Sequence, residues 1–326
     1  MNNANARTYA YCAIWAGAAI ALGSFLLFLF KTTPLDLAQP ISALIFAQYG
    51  ALVGGVVGTL FSLAAVLLLI YNLENQEQNL QEQQIESRFF ELLKIHIGNS
   101  NNMDIGDRVG KRNFISLIGE YHEASDAIQP VCKKYELTEH KAINVAYLCL
   151  FYGGLGRAST EILLKRLAPK HGTEFVKDIV AALSASAFRP ARVTSLHYMP
   201  FDGHQVRLGH YFRHLFQSVG YINEQPTEIL SYEGKYKYIK TLRAQFSTHE
   251  QGLIFLNSLS DLGRAWELDE RIVDPNRKLI TKYNLVKNIP HGFLEGIDVR
   301  KYYPDVKFEG DETLSIGRLG LQGKYT

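Results

Sequence analysis

The sequence has few cysteines and no large excess of charge of either sign. Only three of its 326 residues are cysteines. The two that follow residue 71, Cys132 and Cys149, form no framework of pairs, which indicates a reducing compartment. The formal net charge is +2. Proteins that bind a nucleic-acid backbone need a basic surface, so this balance argues against direct nucleic-acid binding.

Familiar signatures of catalysis are also missing. The nearest approach to a phosphate-binding loop is GDRVGKR at residues 106–112, which has one residue too few between its glycines and no hydroxyl after Lys111. The sequence contains no HExxH, CxxC or GxSxG, and no spacing of its ten histidines matches a zinc site. We therefore expect no metal and no cofactor, and a protein that is not an enzyme is favoured.

Two long stretches carry no charge at all. They run from Tyr9 to Phe30 and from Ile41 to Tyr71, and about 20 apolar residues are enough to cross a bilayer. A signal peptide would have a shorter apolar core, and no second apolar stretch would follow it at once. The sequence predicts a two-helix transmembrane hairpin over residues 1–71, with spans at about 9–30 and 43–71.

A polar segment without glycine or proline follows the second span. Residues 72–87 are rich in Glu and Gln, which favour helix, so the membrane helix is predicted to continue outward as a helical stalk. A solvated helix is favoured over a short coiled coil, because a heptad register is lost after Leu80. An apolar face then begins at Ile85, Phe89 and Leu92. Residues 88–326 are predicted to form an α-helical cytoplasmic domain, so the whole fold is mainly α.

Within residues 88–326 the spacing of apolar residues predicts helices and few strands. Residues 98–112 and 188–205 are predicted loops. In the first half of this domain, helices are predicted from Asn113 to Tyr135 with an interruption near Pro130, from Thr138 as cap to Gly153–Gly154, and over ASTEILLKRLA and TEFVKDIVAALSA. In the second half, helices are predicted from Leu208 to Ile222, from Glu228 to Phe246, from a capping box of Ser247 and Glu250 to Ser260, and after Pro275, which lies in the first turn of the last helix. The helix from Glu228 to Phe246 is predicted to bury a stripe of Tyr232, Tyr236, Ile239, Leu242 and Phe246.

Small residues recur at helical spacing in both membrane spans. Gly50, Gly54 and Gly58 lie four residues apart, and the first span offers a similar face at Ala13, Gly17 and Ala21. Helices in lipid associate where small residues let their backbones approach closely. Two interpretations stay open: the two faces meet within one hairpin, or the glycine face joins separate chains.

The helix predicted at residues 208–222 carries an apolar stripe and a polar face. His210 and His214 lie one turn apart on the polar face, but without a third partner they are a weak indication of metal binding. Arg207 and His214 are separated by six residues, a spacing that resembles the arginine–histidine motif of HEPN ribonucleases. In that motif a histidine acts as general acid or base and an arginine steadies the phosphate. The residue after the arginine is usually polar, but here it is Leu208.

Polar residues are also set among apolar ones between residues 243 and 257. A buried polar side chain must be hydrogen-bonded. Arg243, Glu250 and Asn257 are therefore predicted to form an internal polar network, and the alternative is that they line a ligand pocket.

Three blocks of the sequence together resemble the AbiC-like family of phage abortive-infection proteins. They are SRFFELLKIH at residues 87–96, GHYFRHLFQSVGYI at residues 209–222 and LRAQFSTHEQGLIFLNSLS at residues 242–260. In that family two N-terminal membrane helices commonly precede a helical cytoplasmic domain. The residues expected to organise the domain are Phe89, Phe90, His96, Gly209, Tyr211, Phe212, Arg213, Arg243, Gln245, Ser247, Glu250 and Asn257.

The resemblance implies a bacterial antiviral effector in the inner membrane, with its C-terminal domain in the cytoplasm. We expect it to disturb the membrane through the hairpins, with Gly50, Gly54 and Gly58 in helix association. The expected partners are the lipid bilayer and further copies of the chain. Some retron effectors have a similar layout, which adds a reverse transcriptase with RNA–DNA as a candidate partner. The alternatives are a membrane-tethered ribonuclease using Arg207 and His214, and a structural tether for a partner complex.

Overall fold

Helices make up nearly all of the regular structure, which confirms the prediction of a mainly α protein. The computed structural model describes residues 3–32, 43–188, 196–269 and 274–309. The loop predicted at 188–205 and the end of the predicted C-terminal domain are therefore only partly covered. By contacts the chain divides into two units, Met1–Glu86 and Ser87–Thr326. We call them the N-terminal unit and the C-terminal unit.

The N-terminal unit is an antiparallel helical hairpin. Helix α1 (Asn3–Thr32) lies against α2 (Ala43–Leu52), a π-helical turn (Val53–Val57) and the start of α3 (Gly58–Asn101). The Phe28 and Tyr49 rings are 4.9 Å apart near one end of the pair. Both helices are long and apolar enough to cross a membrane, over Ala6–Phe30 and from Phe46 onward. The predicted hairpin is confirmed, and α3 includes the segment predicted as a stalk.

The C-terminal unit is built from helices of moderate length and one very short β-hairpin. Its elements are β1 (Asp104–Ile105), β2 (Arg108–Val109), α4 (Asn113–Lys134), α5 (Glu139–Tyr152), α6 (Arg157–His171), α7 (Thr173–Phe188), α8 (Gln205–Asn223), α9 (Tyr232–Arg243), α10 (Thr248–Leu259), 3-10 turns at Arg264–Trp266 and Pro275–Arg277, α11 (Leu279–Tyr283) and α12 (Val299–Tyr302).

Helix α10 lies at the centre of this unit. Every residue from Glu250 to Leu259 is buried, and the helix packs against both α4 and α5. A helix that is buried on all sides needs a partner for each polar side chain it carries. The contacts of its polar residues therefore show how the surrounding helices are held.

The predicted interruption of the helix near Pro130 is wrong, because α4 continues through it to Lys134. Pro130 is exposed, whereas Ile128 and Cys132 on either side of it are buried. A proline has no N–H to donate to the carbonyl one turn earlier, and on the solvent side of a helix that carbonyl can be hydrated instead. Packing of the opposite face then holds the helix together.

Several boundaries also differ from the sequence-based expectation. Helix α9 begins at Tyr232 rather than Glu228, since the Ser231 hydroxyl caps it, and it ends at Arg243. Tyr232 is 47% exposed and Tyr236 is half-buried, so the predicted buried stripe is wrong at both positions. The predicted loop at 98–112 holds the end of α3 and the β-hairpin. Pro275 opens a 3-10 turn that precedes α11.

Candidate functional site

The carboxylate of Glu250 joins residues of the second and third sequence blocks to the end of α3. Its Oε1 accepts hydrogen bonds from Ser100 Oγ at 2.7 Å and from Tyr211 OH at 3.3 Å. Its Oε2 accepts from the backbone N–H of Ser247 at 2.8 Å, and the Ser247 hydroxyl accepts from the Glu250 N–H at 3.2 Å. This confirms the predicted capping box. The Lys111 ammonium lies 4.0 Å away and balances the buried charge.

His96 packs against Tyr211 and Phe246 in an apolar setting. Its ring is 5.1 Å from the Tyr211 ring and 5.4 Å from the Phe246 ring, and both its nitrogens are buried with no hydrogen-bond partner among the residues that the structure describes. Burial, assisted by the nearby His214 and Lys111, lowers the pKa of His96 to about 4. Burial and the Glu250 carboxylate raise the pKa of Tyr211 well above its ordinary value. His96 is therefore neutral at pH 7, and Tyr211 stays a hydrogen-bond donor.

The remaining residues of the first and third blocks have mainly packing roles. Phe89 is buried against Tyr238, with ring centroids 4.9 Å apart, whereas Phe90 is 49% exposed. Gln245 contributes its backbone carbonyl, which accepts from Lys111 Nζ at 2.7 Å. These contacts join α3, the start of α4 and the α9–α10 connection.

The predicted network of Arg243, Glu250 and Asn257 is wrong, because no hydrogen bond joins any two of them within the described residues. Arg243 Nη1 donates to the carbonyls of Tyr283 at 2.9 Å and Asn284 at 3.0 Å, at the end of α11. Arg243 ends α9, whereas Glu250 lies in the first turn of α10. The two side chains therefore belong to different helices and meet different neighbours.

Asn257 instead shapes the wall of a cavity. Its Nδ2 donates to Tyr147 OH at 2.9 Å, and its Oδ1 accepts from the indole N–H of Trp266 at 3.1 Å. The backbone of Gly263 passes so close that a Cβ there would lie 2.2 Å from the Asn257 carbonyl oxygen. Asn257 thus fixes the turn that carries Trp266, and with it the position of the indole ring.

The cavity has a volume of about 670 Å³ and lies between the N-terminal half of α8, the end of α5 and the turn at Trp266. Three predicted block residues on α8 line it, namely Gly209, Phe212 and Arg213. The other lining residues are Phe151, Tyr152, Gln205, Val206, Phe216, Gln217, Asn257, Leu262, Gly263, Ala265 and Trp266. The alternative prediction for Asn257 is a position in the wall of a pocket, and Asn257 does line this cavity.

Two glycines allow the chain to pass close to the end of α5 beside this cavity. Gly153 has φ of +78° and Gly203 has φ of +98°, which favour glycine. A Cβ on Gly203 would lie 2.5 Å from the carbonyl oxygen of Tyr152. This close approach fixes where α8 begins relative to α5.

A buried pair that sequence reasoning missed holds the start of α8. His204 Nε2 lies 2.8 Å from Glu120 Oε2, and the N–H of Phe201 donates to Glu120 Oε1 at 2.8 Å. Both side chains are almost fully buried. No spacing in the sequence distinguishes Glu120 from the neighbouring Glu123, which accepts instead from the Ser186 hydroxyl. The pair positions the first turn of α8 against α4.

The two residues of the ribonuclease alternative have separate surroundings. Arg207 Nε donates to the carbonyl of Asp104 in β1. His214 lies two turns further along α8, about 10.5 Å along its axis, and its Nδ1 is buried with no hydrogen-bond partner in the described part of the chain. Burial, with His210 and Arg88 nearby, lowers the pKa of His214. Among the described residues no group of His, Cys, Asp and Glu is placed to hold a metal ion.

The glycine face of the second apolar helix makes no close contact with the residues that the structure describes. A Cβ on Gly50, Gly54 or Gly58 would meet nothing within 4 Å. Gly17 in α1 packs instead against Leu60 and Phe61, with a Cβ there 3.5 Å from each. These contacts favour the interpretation in which the glycine face joins separate chains, and both interpretations stay predictions.

Residues 203–294 match the model of a family described as "Putative phage abortive infection protein". The match contains the second and third sequence blocks, helices α8 to α11, most of the cavity wall and Glu250. The resemblance inferred from those blocks is confirmed. No curated protein and no solved structure matches the chain.

Proposed function

We propose that this chain is a membrane-anchored anti-phage effector that disturbs the bacterial inner membrane when it is released or triggered. The observation that carries the proposal is the combination, in one chain, of the abortive-infection match at residues 203–294 and two helices long enough to cross a bilayer. An abortive-infection protein harms its own cell on infection, and a membrane hairpin gives it a target in that cell.

We place the C-terminal unit in the cytoplasm. Cys132 and Cys149 are buried as free thiols, and burial raises the pKa of Cys132 to about 11. Neither feature requires an oxidising compartment. In this location the unit can be held by a cytoplasmic partner, for which a reverse transcriptase carrying RNA–DNA is one candidate.

The step that damages the membrane is assembly of hairpins from several chains. The open face of Gly50, Gly54 and Gly58 supports this step, because small residues allow close helix contact in lipid. Release of the C-terminal unit from its partner would let these faces meet. The lipid bilayer and further copies of the chain are then the immediate partners.

Overproduction of the full-length chain without its partner tests this proposal. In bacteria that lack the partner, we expect the membrane potential to collapse soon after induction, as followed with a potential-sensitive dye. An impermeant DNA dye should enter the same cells. Cells that carry the gene with its natural neighbours should keep their potential until a phage infects them.

Two results would contradict the proposal. Protection from phage with an intact membrane potential would indicate that the C-terminal unit, and not the hairpin, carries the toxic activity. Failure to protect against any member of a broad phage panel, with normal protein levels in the membrane, would remove the antiviral role itself.

A further inference from the structure

We propose that the cavity beside α8 binds a small planar anion, namely an aromatic ring that carries a phosphate, as in a nucleoside monophosphate. Its volume of about 670 Å³ falls in the range of small-molecule sites, roughly 300–1,000 Å³. Such sites combine apolar and aromatic walls with a few polar groups that fix the ligand's orientation. The walls of this cavity have that composition.

One wall is a pair of fixed aromatic rings. The Phe216 and Trp266 rings meet edge to face, with centroids 5.0 Å apart and planes at 83°. The Trp266 indole N–H is held by Asn257, so the pair has little freedom to lose when a ligand binds. Phe216 is half-buried and leaves ring surface open to the cavity. A planar aromatic ligand can stack there.

The negative charge of the ligand needs a second binding group in the cavity, and one face of α8 provides it. Gln205, Gly209, Arg213 and Gln217 recur every four residues and all line the cavity. Arg213 is exposed, and its guanidinium has no hydrogen-bond or ion-pair partner among the residues that the structure describes. The described lining includes no carboxylate. A phosphate is the group that a guanidinium with open donors binds best.

Gly209 leaves space in the cavity at the point where α8 faces Phe151. Glycine inside a helix destabilises it by about 1 kcal/mol relative to alanine, and here it occurs five residues into α8. A Cβ at this position would lie 3.5 Å from Cζ of Phe151, so a longer side chain would extend into the cavity. Glycine keeps open the space between Arg213 and the aromatic wall.

The sequence itself supplies a probe for binding. The chain has two tryptophans, Trp15 in the first membrane span and Trp266 in the cavity wall. In full-length Trp15→Phe protein in detergent micelles, tryptophan emission comes from Trp266 alone when excitation is set at the long-wavelength edge, where the 18 tyrosines do not absorb. We would titrate it with the four common nucleoside 5′-monophosphates, the matching nucleosides and inorganic phosphate.

We expect at least one monophosphate to change the Trp266 emission saturably. It should bind at least about tenfold more tightly than its nucleoside, the difference expected for a charge-assisted hydrogen bond to phosphate. Inorganic phosphate should bind more weakly than the monophosphate because it cannot stack. Absence of any saturable change in folded protein, or equal binding of phosphate alone, would overturn the proposal.

Variants of the cavity wall then test where the phosphate and the aromatic ring of the ligand bind. Arg213→Gln should weaken monophosphate binding at least about tenfold and leave nucleoside binding unchanged. Gly209→Met should abolish both, with circular dichroism confirming that the helices remain. Arg277→Gln, at an exposed arginine outside the cavity, is the matched control and should bind as the parent does. Unchanged monophosphate binding in Arg213→Gln would rule out this site. Ligand binding here is independent of what the hairpin does, so its failure would leave the membrane proposal untouched.

Discussion

The hydroxyl of Ser100 donates a 2.7 Å hydrogen bond to the buried carboxylate of Glu250, across 150 residues of sequence. Ser100 lies one residue before the end of α3, and Glu250 lies in the first turn of α10. The C-terminal end of α3 is thus joined directly to the central helix of the C-terminal unit. Glu250 also caps α10, so one side chain stabilises both a helix terminus and a helix–helix contact.

Replacement of Glu250 by alanine should destabilise the C-terminal unit strongly. The change leaves Ser100, Tyr211 and the N–H of Ser247 without their acceptor, and it removes the carboxylate nearest to the Lys111 ammonium. Losses of this kind at a buried charged group cost about 3–5 kcal/mol. Chemical denaturation of the full-length protein in detergent, followed by circular dichroism, measures the free energy of unfolding.

Glu228→Ala is the matched control for Glu250, because Glu228 is exposed. It should change the free energy of unfolding by no more than about 0.5 kcal/mol. A similarly small change for Glu250→Ala would show that the carboxylate is not the organising group inferred from its contacts.

His96 should make the protein less stable in mild acid. The pKa of His96 is lowered to about 4 in the folded protein, whereas an unfolded histidine has a pKa of about 6.5. Between these values the unfolded chain binds a proton that the folded chain does not. The free energy of unfolding should therefore fall as the pH drops from about 6.5 to about 4, by up to about 3 kcal/mol from this residue. Above pH 6.5 its contribution is constant.

His96→Leu removes this contribution and should flatten the pH dependence in that window. The measurement is the difference between parent and variant unfolding free energies at a series of pH values. His291→Leu is the control, since His291 is exposed, and it should leave the slope unchanged. The same slope in His96→Leu as in the parent would mean that His96 is accessible to protons in the folded protein.

The sequence predicted local structure better than contacts between helices. The capping box at Ser247 was predictable because its two residues lie three apart in one turn. The partners of Arg243 were not, since they are backbone carbonyls about 40 residues further along the chain. Every residue has a backbone carbonyl, so the sequence does not show which carbonyl will accept a hydrogen bond. The same holds for Glu120, whose partner His204 lies 84 residues away.

Arg243 and Glu250 should contribute independently to stability. Arg243→Met leaves the carbonyls of Tyr283 and Asn284 without their charged donor, at a cost on the order of 3 kcal/mol. Since the two side chains share no partner, Arg243→Met and Glu250→Gln should be additive within about 0.5 kcal/mol. A double-mutant cycle on the unfolding free energy checks this. A coupling above about 1 kcal/mol would restore the direct pairing that the structure lacks.

The ribonuclease alternative makes a prediction opposite to the one from membrane damage. His214→Ala and Arg207→Ala should both leave phage protection intact if the hairpin is the toxic part. A general acid or base contributes about 100-fold or more to a rate, so a ribonuclease would lose its effect in His214→Ala. Plaque counts at matched protein levels, with RNA integrity in infected cells measured beside them, decide between the two. Loss of protection in both variants with normal folding would favour the ribonuclease.

The glycine face of the second span should be required for toxicity. Leucine at Gly54 adds bulk where a Cβ meets nothing within 4 Å among the described residues, so the hairpin itself should form and insert normally. Between chains the same side chain would hold the helices apart and remove the close contact that stabilises them in lipid. Gly23 in the first span is also open, since a Cβ there would meet nothing within 4 Å among the described residues, and it lies outside the glycine face. Gly23→Leu is therefore a matched control for added bulk in the membrane.

We expect Gly54→Leu to lose chain-to-chain crosslinking in membranes and to leave the membrane potential intact on overproduction. Gly23→Leu should still crosslink and should still collapse the membrane potential. Full toxicity in a correctly inserted Gly54→Leu protein would show that the glycine face plays no part in membrane damage and would transfer the activity to the C-terminal unit.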